Sequence, residues 1–127
     1  MMSKPMNILL AEDDPNIVKI ATMVLTKVGN HTVEVATNGQ DALDKALAGN
    51  YDLLLLDGMM PKMQGIDVCK NYYDSKKPPW ANVIFLSAKS AQEDVKEFVN
   101  FGTGFIQKPF APEKLCLQIE EILKAVS

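Results

Sequence analysis

Apolar and polar positions along this chain follow two different periods, and the clearest segment is a run of four leucines. The run reads Tyr51-Asp-Leu-Leu-Leu-Leu-Asp57, with an acid on either side of it. An apolar stretch of this length is typical of a strand that is buried on both faces of a parallel sheet. Gly58 and Pro61 turn the chain directly afterwards. The pattern therefore predicts Asp57 at the carboxyl end of a central strand, where open α/β sheets bind their ligands.

The rest of the chain alternates between short apolar runs and segments with helical spacing. Besides the leucine run, the pattern predicts strands over residues 7–11, 31–36, 82–87 and 103–107. Helices are predicted over residues 15–28, 39–48, 65–74, 91–101 and 112–125. Five strands, each followed by a helix, predict a single α/β domain with one parallel sheet covered on both faces by right-handed crossovers.

The first and last helices carry the clearest helical signals. Asp14 and Pro15 are typical of an N-cap and a first helical residue, and Gly29 is typical of a helix stop. The predicted apolar stripe of the first helix is Ile17, Ile20, Ala21, Val24 and Val28. The predicted apolar stripe of the last helix is Leu115, Leu117, Ile119, Ile122 and Leu123.

Composition narrows the class of protein. The chain has 127 residues, which suits one domain, and a net charge of −3, which argues against a nucleic-acid surface. It has neither an apolar run of roughly 18–20 residues nor a signal-like leader. We therefore expect no membrane insertion, and we expect a cytoplasmic location. Cys69 and Cys116 fall on the third and fifth predicted helices, on opposite faces of the sheet. We expect two core thiols rather than a disulfide.

Chemically active side chains follow four of the predicted strands. Glu12 and Asp13 come after strand one, Asp57 and Ser87 end strands three and four, and Lys108 follows strand five. In a parallel sheet, all five residues come to the same edge. Each residue alone has an ordinary explanation: a solvated loop acid, a turn serine or a surface lysine, just as Asp14 serves as a helix cap. Their joint placement on four strand ends is what indicates a site.

This set of groups suits phosphoryl transfer. Three neighbouring carboxylates repel one another, so a positive group is expected among them. Oxygen ligands that leave room for water suit Mg²⁺ better than Ca²⁺, and Lys108 supplies a second positive charge. Phosphoryl transfer depends mainly on positioning and charge neutralisation, and Asp57 could act as the nucleophile to give an aspartyl phosphate.

Four ordered motifs resemble the receiver domain of two-component response regulators, the CheY-like family. They are Leu10-Ala-Glu-Asp-Asp-Pro15, Leu54-Leu-Leu-Asp-Gly-Met-Met-Pro-Lys-Met-Gln-Gly65, Phe85-Leu-Ser-Ala88 and Phe105-Ile-Gln-Lys-Pro-Phe110. The resemblance covers essentially residues 1–127. It implies a flavodoxin-like (βα)5 sheet of order 2-1-3-4-5, and a cis peptide at Lys108–Pro109.

The resemblance also implies roles for individual residues. Asp57 would accept a phosphoryl group from a phosphohistidine on a histidine kinase or histidine phosphotransferase. Asp13, Asp57 and the main-chain carbonyl of Met59 would bind Mg²⁺ directly, and Glu12 would act through a metal-bound water. Ser87 would hydrogen-bond the phosphoryl group, and Lys108 would pair with it. Phe105 falls at the family's switch aromatic, although it could equally be an ordinary apolar strand residue.

Some positions depart from the commonest pattern of the family. Gly58 is usually a larger residue, and the Gly102-Thr103 pair is atypical because an Ala commonly follows that first Gly. Met59 and Lys89 flank the expected path of an attacking water, at positions thought to tune the lifetime of the aspartyl phosphate. None of these departures removes a reacting group.

The expected function is a switch that catalyses its own phosphorylation and dephosphorylation rather than an enzyme with a separate substrate. Phosphorylation would repack the face formed by the fourth predicted helix, strand five and the fifth helix. Because no output domain follows, the output would be a protein contact or a homodimer, unless the chain is part of a longer protein. One rival is a haloacid dehalogenase-like phosphatase, which needs a second Asp where this chain has Met59. The other is a pseudo-receiver that binds partners without being phosphorylated.

Overall fold

Five parallel strands form the centre of the molecule, in a computed structural model that describes residues 4–87 and 102–126. They are β1 (Asn7–Ala11), β2 (Thr32–Ala36), β3 (Leu53–Asp57), β4 (Asn82–Ser87) and β5 (Gly104–Gln107). Their order in the sheet is β2-β1-β3-β4-β5, as the resemblance implied. The predicted helix over 91–101 and Lys89 lie outside the described residues.

The register of the strands determines which residues meet at the carboxyl edge. Ala11 pairs with Leu56, Asp57 pairs with Leu86, and Ser87 pairs with Gln107. The ends of neighbouring strands are therefore level to within about one residue rise, roughly 3.3 Å. Side chains at the last residue of one strand and the first residue after another consequently face a common space.

Four helices are described in addition to the sheet. They are α1 (Pro15–Lys27), α2 (Gly39–Ala48), α3 (Gly65–Ser75) and the C-terminal helix (Leu115–Val126). Asp14 caps α1 by accepting a hydrogen bond from the Asn16 N–H at 2.9 Å, and Asn38 caps α2 by accepting from the Asp41 N–H at 2.8 Å. The last helix was predicted from residue 112, but residues Pro112–Lys114 form a 3-10 turn ahead of it.

Apolar side chains form a core layer on each face of the sheet. Leu53 and Leu55 pack on the α1 and C-terminal helix side, whereas Leu54 and Leu56 pack on the α2 and α3 side. All four leucines are fully buried, which confirms the prediction of a strand covered on both faces. Cys69 and Cys116 belong to opposite layers and form no disulfide, but Cys116 is only partly buried.

Three residues assigned to apolar stripes are exposed, and helix geometry explains each one. The buried stripe of α1 consists of Ala21, Val24 and Leu25. Ile20 lies at the edge of this stripe, because successive residues of a helix are about 100° apart. Val28 is the C-cap of α1 and therefore follows its last helical residue. Leu117 lies about 200° around the C-terminal helix from the buried Leu115, so it points to solvent.

Among the described residues, no helix combines the length and the apolar character that crossing a membrane requires.

Candidate phosphorylation site

Three charged groups meet at the carboxyl edge of the sheet. Glu12 directly follows β1, Asp57 is the last residue of β3, and Lys108 directly follows β5. Glu12 is 0% exposed and Asp57 is 4% exposed. The Lys108 Nζ lies 2.9 Å from Glu12 Oε1 and 3.3 Å from Asp57 Oδ1. One ammonium therefore bridges two buried carboxylates that come from different strands.

Backbone contacts hold Glu12 in this position. Its N–H donates to the Ala36 carbonyl at 3.0 Å, and its Oε2 accepts from the Asp14 N–H at 3.1 Å. Both carboxylate oxygens thus have a partner, since Oε1 binds Lys108. The resemblance implied that Glu12 binds the metal through a water, whereas its direct contact in the structure is with Lys108. The water-mediated role stays a prediction.

The acidic residues are close enough to share a cation. Glu12, Asp13 and Asp57 each offer a carboxylate oxygen, and these oxygens all lie within 4.8 Å of one another. Two of the residues are buried, and Asp13 is exposed. An oxygen-only donor set with one open side suits a hard divalent cation that keeps part of its water shell. The donors present therefore fit the metal that the sequence analysis expected.

The surroundings of Asp57 favour its protonated form. Burial, followed by the hydrogen bond and the negative charge of Glu12, raises the pKa of Asp57 to about 7. The Met59 N–H, 3.2 Å from Asp57 Oδ1, and the charge of Lys108 act in the opposite direction. For Lys108, burial lowers the pKa, but contacts with Glu12 and Asp57 outweigh burial and leave the pKa raised. Lys108 alone does not neutralise the negative charge of this site.

The end of β4 supports the loops on either side of it. The Ser87 carbonyl accepts from the Lys108 N–H at 2.6 Å, and the Leu86 carbonyl accepts from the Gly58 N–H at 2.8 Å. Ser87 itself is buried at the end of β4, as predicted. The Lys108–Pro109 peptide is cis, which also agrees with the prediction. Ser87, Asp57 and Lys108 are thus brought together by neighbouring strands.

The loop between β3 and α3 is packed through main-chain atoms. The Gly65 N–H donates to the Gly58 carbonyl at 3.2 Å, and the Gly39 N–H donates to the Pro61 carbonyl at 3.1 Å. A Cβ on Gly65 would lie 2.3 Å from the Asp57 carbonyl oxygen, and one on Gly39 would lie 1.9 Å from the Met63 carbonyl oxygen. Both glycines therefore allow the loop to lie against the site.

Sequence reasoning missed these supporting residues. Gly39 and Gly65 were interpreted only as helix starts, and their close backbone contacts depend on residues from another element. Lys62 was also missed: its φ of 71° lies in the left-handed region, where glycine is favoured. The Pro61-Lys-Met-Gln-Gly65 turn was the available signal for an unusual backbone conformation.

Phe105 lies beside the site on edge strand β5. It pairs in register with Phe85, is partly buried, and packs against the core layer on the α2 and α3 side. With Gln118 and Ile122 of the C-terminal helix, it lines an open cleft of about 340 Å³. This position suits an aromatic that senses repacking near β5, but its switching role stays a prediction.

The chain matches the response regulator receiver domain family over residues 8–120, and it belongs to that family. Members of this family are signalling domains of two-component systems. The resemblance stated from the four motifs is therefore confirmed, and so is the flavodoxin-like fold.

Relatives and solved structures support the same assignment. The chain is 35% identical over 119 residues to the response regulator ArlR of Staphylococcus haemolyticus, covering 93% of this chain and 52% of ArlR. It is 36% identical over 121 residues to the transcriptional regulatory protein ResD of Bacillus subtilis, covering 94% of this chain and 49% of ResD. The chain thus spans about half the length of these relatives.

Two solved structures have nearly the same extent as this chain. The chemotaxis protein CheY4 of Vibrio cholerae superposes with a TM-score of 0.84 at 26% identity, covering 94% of this chain and 99% of CheY4. The BeF3-activated DrrB receiver domain superposes with a TM-score of 0.81 at 25% identity, covering 95% of this chain and 99% of that domain.

Proposed function

We propose that this receiver domain is a phosphorylation switch in which Asp57 accepts a phosphoryl group from a phosphohistidine. The donor would be a histidine kinase or a histidine phosphotransferase. The observation that carries the proposal is the buried Asp57 carboxylate, with Lys108 3.3 Å away and the oxygens of Glu12 and Asp13 within 4.8 Å. This is a nucleophile surrounded by groups that can manage the charge of a phosphoryl group.

The transfer makes one bond and breaks one. A carboxylate oxygen of Asp57 bonds to phosphorus while the phosphorus–nitrogen bond of the phosphohistidine breaks. The electron pair of the broken bond stays on the imidazole nitrogen, which then takes a proton from solvent. Asp57 must be ionised to attack, so the positive groups around it, which favour its ionised form, promote the reaction.

The proposed ligands of the metal are acidic residues and one main-chain carbonyl. Asp13, Asp57 and the main-chain carbonyl of Met59 would hold Mg²⁺ directly, and Glu12 would hold it through a water. When bound, Mg²⁺ supplies charge neutralisation for the acidic cluster and for the oxygens of the phosphoryl group.

Ser87 and Lys108 are assigned to the phosphoryl group itself. The Ser87 hydroxyl would donate a hydrogen bond to a phosphoryl oxygen. Lys108 would pair with another oxygen and give up part of its contact with Glu12, which is 2.9 Å away in this structure. Because Lys108 follows β5 directly, its movement is communicated to that strand.

The change at β5 would reach partner proteins through the neighbouring face. Repacking of Phe105, together with the C-terminal helix, would alter binding of a partner protein or of a second copy of the chain. A coupling of roughly 1–3 kcal/mol is enough to change partner affinity about 5-fold to 150-fold. The similar DrrB receiver domain is BeF3-activated, which supports a switching role for this chain.

The test is intact mass after incubation with acetyl phosphate, with and without Mg²⁺. We expect one phosphoryl increment in the wild type, dependent on Mg²⁺, and none in Asp57→Asn. The matched control is Asp52→Asn, because Asp52 precedes the same strand at the opposite edge of the sheet. An increment that persists in Asp57→Asn would contradict the assignment of the acceptor. No increment in any folded form would favour the pseudo-receiver.

A further inference from the structure

We propose that Met59 is an oxidation site, and that its conversion to the sulfoxide by hydrogen peroxide shortens the lifetime of phosphorylated Asp57. The inference rests on the proposed function, because it concerns the stability of the aspartyl phosphate. It adds a second input to the site, namely the presence of a peroxide.

Exposure distinguishes Met59 from the other methionines that the structure describes. The residue is 66% exposed, compared with 51% for Met23 on α1 and 7% for Met60. Met6 and Met63 are partly buried. A thioether reacts with peroxide where the oxidant can reach the sulfur, so Met59 and Met23 should react before Met60.

The main chain keeps Met59 next to the acceptor. Its N–H lies 3.2 Å from Asp57 Oδ1. The loop that follows is held by the hydrogen bonds from Gly65 to Gly58 and from Gly39 to Pro61. A chemical change in the Met59 side chain therefore occurs on the residue whose main chain contacts Asp57, whereas the same change at Met23 occurs on α1.

The oxidation step is balanced by the peroxide. The sulfur loses two electrons and gains one oxygen atom, the oxygen–oxygen bond of hydrogen peroxide breaks, and water leaves. The product carries a polar sulfoxide oxygen in place of an apolar thioether. Because this oxygen accepts hydrogen bonds far more strongly than a thioether does, it can hold a water beside the site. A water held there promotes attack on the aspartyl phosphate.

The experiment compares lifetimes before and after oxidation. Wild type, Met59→Leu and Met23→Leu are treated with hydrogen peroxide, quenched with free methionine and mapped by tandem mass spectrometry. Each sample is then phosphorylated with acetyl phosphate and Mg²⁺, the donor is removed, and loss of the phosphoryl increment is followed. Each variant is compared with its own unoxidised form, so changes caused by the substitution itself cancel.

We expect oxidation to shorten the lifetime about threefold or more in wild type and Met23→Leu, below the hundredfold of a well-placed general base. We expect Met59→Leu to be unaffected by oxidation, and methionine sulfoxide reductases to restore the wild-type lifetime. An unchanged or longer lifetime after full conversion of Met59 would overturn the inference alone, as would equal shortening in Met59→Leu. Failure of the unoxidised wild type to gain a phosphoryl group would overturn the proposed function as well.

Discussion

The polar groups at the two edges of the sheet have different kinds of partner. At the carboxyl edge, the buried Glu12 and Asp57 contact the partly buried Lys108, and negative charge is left in excess. At the amino edge, polar side chains bind main-chain groups. His31 Nδ1 accepts from the Met6 N–H at 2.9 Å, and the Lys76 Nζ donates to the Gly49 carbonyl at 3.0 Å. At the carboxyl edge, burial and repulsion between carboxylates are unfavourable. At the amino edge, hydrogen bonds join neighbouring elements.

The contrast predicts different tolerance to one added methyl group. In Gly65→Ala, the new Cβ would meet the Asp57 carbonyl oxygen at 2.3 Å, and main chain cannot move aside. We expect a loss of about 3 kcal/mol in the free energy of unfolding, together with lower phosphorylation. In Gly49→Ala at the amino edge, the Cβ meets the Tyr51 ring at 2.8 Å, and a side chain can turn away. Urea unfolding of both variants checks this, and similar losses would contradict the contrast.

Removing charge should stabilise the carboxyl edge. The pKa of Asp57 is raised from 3.8 to about 7 in the folded protein. The stability that protonated Asp57 contributes to the fold is therefore complete below pH 3.8, and it is lost as pH rises through about 7. In metal-free protein, we therefore expect Asp57→Asn to be more stable than wild type by about 2 kcal/mol near pH 8, and by less near pH 5.

The control for this substitution lies at the other end of β3. Asp52 Oδ2 accepts from the Asn7 N–H at 2.8 Å, so Asp52→Asn weakens a contact instead of relieving repulsion. We expect a loss of about 1 kcal/mol in the free energy of unfolding. Chemical denaturation with a chelator present measures both variants, and stabilisation by Asp52→Asn would remove the distinction between the edges.

At the amino edge, we expect the free energy of unfolding to decrease as pH falls, which is opposite to the effect of Asp57. Burial lowers the pKa of His31, although the charge of Glu120 on the C-terminal helix opposes the shift. The contribution of neutral His31 is therefore complete above the unfolded value of 6.5, and it is lost as pH falls below that value. Protonation of Nδ1 also places two donors face to face, because that atom accepts from Met6.

We expect the free energy of unfolding to decrease as pH falls below about 6.5, because His31 takes up a proton more readily in the unfolded chain, and His31→Gln to lose this dependence. The comparison is made in the Asp57→Asn background, so that titration of Asp57 does not mask it. Because His31 is the only histidine, its imidazole resonances report the titration directly by NMR. A folded-state pKa above the unfolded value would contradict this interpretation.

The smallest expected difference concerns backbone conformation. Lys62 near the site has φ 71°, and Asn30 before β2 has φ 59°. Because Asn tolerates the left-handed region better than Lys, we expect Lys62→Gly to stabilise by about 0.5 kcal/mol and Asn30→Gly to be nearly neutral. Thermal unfolding of the pair measures the difference. A larger gain at Asn30 would show that the strain lies elsewhere.

Much of the fold followed from local signals. The leucine run predicted β3, Asp14-Pro15 predicted the start of α1, and Asn38 marked the start of α2. The acids and Lys108 were predicted together, because parallel strand ends share one edge. These predictions needed only sequence neighbours and one rule of topology.

The remaining features depend on contacts between distant parts of the chain. The His31–Met6 hydrogen bond spans 25 residues, and the hydrogen bond from Lys76 to the Gly49 carbonyl spans 27. No local pattern indicates such partners. Periodicity alone also assigned Leu117 to the core, because an apolar residue gives the same signal whether or not a neighbour covers it.

The distance along the chain between Glu12 and Lys108 has a consequence for biosynthesis. The acids of β1 and β3 leave the ribosome well before the lysine that follows β5. A nascent chain that ends before β5 therefore carries the acidic groups without their cation, and cannot yet form the ion pairs that hold Asp57. Completion of the site should coincide with addition of the last strand, so that incomplete chains are not competent to receive a signal.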